Sequence, residues 1–279
     1  MYHLLAAQLN TGGAVTNSAM TRALDPTIDS DGTSFRFTER YKLFGALMIG
    51  ATVTRGRLNA PSLNNVVQHQ IEHINRALTI QDQTVPADYL DEPYRLPLNE
   101  PVAVEVSDTA AEQTQALLWI APESWKPTHP TFRDPLGLFP ESAPMLARFT
   151  SPPTSVANAW VNDQAITFET TPRGGWYAVV GLDAFRANGL AIRLNFRRGP
   201  NYNGRRMRPG VICRESLATR PVPYDKFTKR LGLLGYFHTQ ELPTLDLLAS
   251  DAAATLIEGR MLLKFVSTAG QDSPPFVGY

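Results

Sequence analysis

Apolar and polar positions in this chain alternate over short stretches and rarely recur at helical spacing. Phe35 and Phe37 flank Arg36, and Val102, Val104 and Val106 alternate with Ala103 and Glu105. Side chains on a strand point to opposite faces in turn, so this period of two predicts one or two strands over 35–58 and another over 102–106. In the first of these stretches Leu47, Ile49, Ala51 and Val53 alternate less cleanly. Short apolar runs predict further strands at 116–120, 165–169, 176–180, 190–196, 211–214, 231–237, 245–248 and 261–266. Residues 62–79 read differently: Val66, Val67, Ile71, Ile74 and Leu78 recur every three to four positions, with Ser62 placed as an N-cap. That spacing predicts a helix. Two shorter helical turns are predicted at 109–115 and 250–259, each opened by Ser-Asp.

The segments between these elements are long and marked by proline. The chain holds 22 prolines, spread along its length, and they punctuate helices and strands alike. Residues 1–34 are rich in Thr, Asn, Asp and Gly and read as a frayed terminus or as an arm that orders against a neighbour. Residues 80–100 and 121–153 read as loops, the second long enough to mark a domain boundary. The predicted organisation is an arm over 1–34, a first β-sandwich module over 35–150, and a second over 151–279 with a C-terminal tail. The fold class is all-β, two tandem sandwich modules with short helices and long loops.

Composition narrows the function classes. The 279 residues suffice for a sizeable core, as one large domain or two. Formal net charge is zero, which removes long-range repulsion between copies and tolerates dense packing. A single cysteine, Cys213, excludes an intrachain disulfide and a thiolate metal cluster. It lies between Ile212 and Arg214 in a predicted strand and reads as a buried structural thiol rather than a reactive one. The N-terminus lacks the basic region of a signal peptide. The most apolar run, residues 43–53, spans 11 residues, against about 20 for a membrane helix.

Two stretches echo one another. PVAVEVSDTAAEQTQALLWI begins at Pro101 and PTLDLLASDAAATLIEGRMLLKF at Pro243. Each runs from proline through an apolar strand to Ser-Asp, an alanine-rich turn and a second apolar strand. Ser107-Asp108 aligns with Ser250-Asp251. Ser-Asp pairs and alanines are common, so the echo reads either as coincidence or as a repeated module of roughly 140 residues. With two β-modules, long loops and neutral charge, residues 35–266 resemble the double jelly-roll major capsid proteins of tailless icosahedral viruses. The resemblance implies two eight-stranded jelly rolls per chain, three chains per pseudo-hexagonal capsomer, other virion proteins as partners, a place in the virion, no cofactor and no catalytic residue.

Charge is polarised along the sequence. Residues 173–230 hold 13 basic and 3 acidic residues, whereas residues 1–150 hold 11 and 16. Arg197, Arg198, Arg205, Arg206 and Arg208 are concentrated in LNFRRGPNYNGRRMRPG, beside Tyr202. Guanidinium forks suit phosphates and carboxylates. The segment therefore reads as a non-specific nucleic-acid contact, as an interface to an acidic patch on a neighbouring copy, or as a solvated loop. No sequence-specific reader motif accompanies it.

One enzyme-like motif is present. His69-Gln70-Ile71-Glu72-His73 matches the H-x-x-E-H of inverted zinc proteases. On a helix His69 and His73 would lie one turn apart and share a zinc, with Glu72 as base. Glu112 and Glu141 are the candidates for a third ligand. Polar residues on the solvent face of an amphipathic helix are the plain alternative, and the chain is read as no enzyme. A third class, a monomeric binding or adhesion module, would need an exposed aromatic groove built from Trp125, Trp160 or Trp176.

Overall fold

The computed structural model describes residues 2–22, 32–64, 70–71, 86–127, 145–153, 155–198, 201–202, 205–214 and 230–273. They form two units, Tyr2–Trp125 and Lys126–Tyr279 with Met1. Both are all-β.

The Tyr2–Trp125 unit holds two antiparallel sheets. In the first, His3–Asn10, Gln113–Pro122 and Tyr41–Ile49 lie side by side, flanked by Thr21–Arg22 at one edge and Ala87–Asp88 at the other. Tyr94–Arg95 also pairs with Tyr41–Ile49. In the second, the order is Val15–Ala19, Pro101–Asp108, Val53–Asn59, Gln70–Ile71, with Phe35–Arg36 also on Pro101–Asp108. The two sheets meet face to face. Met48 of the first reaches into the space that a side chain at Gly56 of the second would fill. The central strand Gln113–Pro122 is buried from Thr114 onward, so its apolar run ALLWIA packs on both faces and shows no alternation.

The Lys126–Tyr279 unit repeats this plan. Met145–Ser151, Ile257–Ser267, Trp176–Phe185 and Gly235–His238 are neighbours in that order. Trp160–Gln164, Thr244–Ala249, Gly189–Asn195 and Gly210–Arg214 form a second such row. A short parallel pairing of Ala184 and Phe185 with Cys213 and Arg214 joins the rows into one curled sheet. The principal strands of each unit can be counted from one to eight along the chain. The spatial orders are then 1-8-3-6 and 2-7-4-5 in both units.

Close packing explains two glycines here. A Cβ at Gly259 would enter the ring of its cross-strand partner Phe149. A Cβ at Gly189 would stand 2.5 Å from the Cys213 sulfur.

Several expectations are corrected. Within the expected arm over 1–34, the described residues 3–22 belong to the sheets: His3–Asn10 is an inner strand, with Val15–Ala19 in the facing sheet. The units divide after Trp125 rather than after residue 150, because Met145–Ser151 is the first strand of the second unit. The predicted helix over 62–79 is interrupted. Among its described residues Pro61–Asn64 is helical, and Gln70–Ile71 pairs with Gly56 and Arg57 as a strand. Neither Ser-Asp turn is helical. Glu112 turns its carboxylate across the sheet to the backbone N–H groups of Ala51 (2.6 Å) and Thr52 (2.7 Å), and Gln113 already begins a strand. Asp251 accepts from Arg186 (2.9 Å) and Asn188 (2.7 Å) and so anchors a loop instead of capping a helix. The two echoing segments nonetheless occupy equivalent places, the seventh and eighth strands of their units.

Candidate interface site

The strand Gly189–Asn195 is followed by Phe196, whose buried ring fills the space beside Gly235. The chain then leaves the core, and Arg197 and Arg198 are exposed. Arg198 Nε donates to Glu241 at 2.8 Å and its Nη2 reaches Asp272 at 3.2 Å; Arg197 contacts Glu241 at 3.5 Å. Hydrogen bonds to Glu241 and Asp272 hold the Arg198 guanidinium above its ordinary pKa. Burial alone would raise the Glu241 carboxyl, but bonds from Arg198, Arg197 and Gln271 and the charge of Arg198 hold it below the usual carboxylate range. Asn201–Tyr202 and Arg205–Arg206 then pair as a small hairpin, which sets Arg206 on the surface.

Arg208 departs from this set. Its side chain is 10% exposed, and Nη1 donates to Asp246 at 2.6 Å. Arg193 donates to the same carboxylate from Nη2 (3.0 Å) and Nε (3.2 Å), with both partners fully buried. The second oxygen of Asp246 accepts the Asp163 backbone N–H at 3.0 Å. The Arg193 guanidinium lies over the face of Trp160, 3.8 Å from the ring centroid, a favourable cation–π distance. Asp163 completes the network by accepting from Asn195 (2.6 Å) and Thr244 (3.0 Å). Burial works against its charge, but those two bonds and the charges of Arg208 and Arg206 outweigh it, and its pKa is lowered. Arg208 is thus committed inward as a fold element.

The network was not singled out from the sequence, although a signal exists. Arg193 and Asp246 are each a lone charge inside an apolar run, LAIRLNF and TLDLLA, and the register places them opposite one another. Opposite charges alone in two core strands point to a pair.

His69, Glu72, His73 and Glu141 lie outside the described residues. The helical spacing that made the motif a zinc site is not continued at its centre, since Gln70–Ile71 is a strand. Glu112 has its carboxylate engaged by Ala51 and by both the N–H and the hydroxyl of Thr52. Cys213 is fully buried, and desolvation pushes its thiol up to about 12, so it is held as an inert thiol. The tryptophans form no exposed groove among the described residues. Trp160 and Trp176 are buried, and Trp125 packs against Tyr2 and Phe44.

No protein-family model and no curated protein matches the chain. Among solved structures the chain is similar to the crystal structure of the major capsid protein P2 from bacteriophage PM2. The identity is 10% and the TM-score 0.24, over 95% of this chain and 98% of that one. The architecture stands on the strand orders themselves.

Proposed function

We propose that this protein is a structural subunit of a viral capsid shell, built of two jelly-roll modules and assembling through trimeric capsomers. The observation that carries the reading is the repeated strand order. Two rows ordered 1-8-3-6 and 2-7-4-5 correspond to the pairing of an eight-stranded jelly roll, an architecture used by capsid and lectin domains. Its occurrence twice in one chain, with the Pro101 and Pro243 segments at equivalent places, supports a duplicated shell module over a single binding domain. The partners in this reading are further copies of the chain and other virion proteins, and the location is the virion. No catalytic residue and no cofactor enters it. Arg197, Arg198, Arg205 and Arg206 are the contact residues, towards neighbouring subunits or, without sequence preference, towards nucleic acid.

The test is the native mass of the purified protein by light scattering after size exclusion, with negative-stain imaging of the same fraction. Trimers or closed particles are expected. A monomer at every concentration and salt tried would overturn the proposal.

A further inference from the structure

The charge of the chain divides between its units in equal and opposite amounts. Residues 2–125 carry 8 basic and 14 acidic side chains, a balance of −6, and residues 126–279 carry 18 and 12, a balance of +6. An excess that served only to hold a polyanion would not need a matching acidic half. Opposite balances in the two units suit a contact between copies.

Each surface has a defined place in its unit. On the basic side Arg173, Arg197, Arg198 and Arg206 are exposed. Their loops are tied together, because Gly175 and Thr239 exchange hydrogen bonds at 3.0 Å and Arg198 spans Glu241 and Asp272. The Arg197 side chain is 70% exposed, with a 3.5 Å contact to Glu241, so its fork faces solvent. On the acidic side Asp88, Asp91 and Glu92 are exposed within five residues. Asp88 ends one short strand and Asp91 and Glu92 lie between it and the next, and both strands pair with Tyr41–Ile49. The loop is further pinned by the Tyr89 N–H on Phe44 (2.9 Å), the Leu90 N–H on Asp88 (3.0 Å) and the edge-on Tyr89–Tyr94 rings, 4.8 Å apart. Three carboxylates held on an ordered loop are a preorganised partner for guanidinium forks.

We propose that the loops bearing Arg197 and Arg206 dock on the 88–92 loop of a second copy of this chain. The contact joins two different patches, so its repetition closes a ring or continues as an open chain. The inference rests on the assembly reading above and names the surfaces that reading requires.

Light scattering after size exclusion is run on the wild type, on R197E/R206E, on D91K/E92K and on the combined variant. The wild type is expected to associate in about 50 mM salt and to weaken towards about 500 mM. Each one-sided reversal should raise the dissociation constant about tenfold or more, and the combined variant should recover most of that loss. Unchanged thermal midpoints verify folding; should R197E/R206E misfold, R206E paired with D91K/E92K carries the same comparison. Wild-type assembly that none of the variants alters overturns this contact and leaves the assembly reading standing. A monomeric wild type overturns both. Assembly insensitive to D91K/E92K, together with binding of a single-stranded DNA of about 20 nucleotides that R197E/R206E abolishes, assigns the arginines to nucleic acid instead.

Discussion

Replacing Asp246 by Asn tests whether the buried charge network is a fold determinant of the second unit. The carboxylate accepts three guanidinium hydrogen bonds, at 2.6, 3.0 and 3.2 Å, and one backbone N–H at 3.0 Å. Asparagine keeps an acceptor for the backbone but removes the charge. Arg193, fully buried, and Arg208, nearly so, then lose the carboxylate they share. Removing one partner of a buried pair costs about 3–5 kcal/mol, because the remaining ion stays desolvated. The Trp160 face under Arg193 is present before and after the change and offsets none of that. A loss of about 3 kcal/mol corresponds to a fall of about 6–12 °C in the melting midpoint of a unit this size. Circular dichroism melts at fixed protein concentration and pH 7 read it directly. The apolar triple variant R193M/D246L/R208M should recover much of the loss, since desolvation weighs as heavily as attraction in such networks. A D246N midpoint within about 1 °C of the wild type would refute the reasoning, because the guanidinium groups would then have found other compensation.

Three further outcomes follow from the packing and the perturbed groups. Burial raises the Asp108 carboxyl, which Thr114 at 3.0 Å only partly counters and Glu112 reinforces. Its charge therefore costs stability above the folded-state pKa, and this cost disappears below the unfolded value of about 4. D108N should melt higher than the wild type at pH 7 and lose that advantage as the pH approaches about 4, which melts across that range will show. Gly259→Val should lower the melting midpoint through a cost of about 1–3 kcal/mol, because the Phe149 ring already fills the place of its Cβ, whereas the same change at exposed Gly270 should be nearly silent. Cys213 should resist alkylation at pH 8 in the folded protein and react fully in denaturant, as intact-mass measurement will report.

The strands that alternate cleanly or are flanked by turns were legible. Val102, Val104 and Val106 do face the core, and the runs at 190–196 and 245–248 fall on real strands. His3–Asn10 escaped because His3 through Ala7 are all buried, so a strand packed on both sides shows no period and resembles any apolar terminus. Met145–Ser151 escaped for the opposite reason: Met145 and Leu146 are exposed while Ala147 and Phe149 point inward, which hides the alternation behind surface apolar residues. The helical spacing over 62–79 fails at Gln70–Ile71, because short apolar segments satisfy helical and extended templates alike and strand pairing wins there. Of the arginine cluster, Arg197, Arg198 and Arg206 are set on the surface, but no local feature marks Arg208 as buried. Its fate is decided by Asp246, 38 positions along the chain.

In both units the first strand lies against the last. His3–Asn10 pairs with Gln113–Pro122, and Met145–Ser151 with residues 257–263. This has a kinetic consequence. The closing strand is an inner one, lying between the first strand and the third, so neither sheet can be completed until its unit has been almost wholly synthesised. Loop closure over such a separation makes folding slow. A nascent chain paused near residue 112 would hold His3–Asn10 and Tyr41–Ile49 with the partner they share still missing, leaving two apolar strand edges open to any other chain nearby. Release of the closing strand of each unit is therefore the step at which folding and aggregation compete.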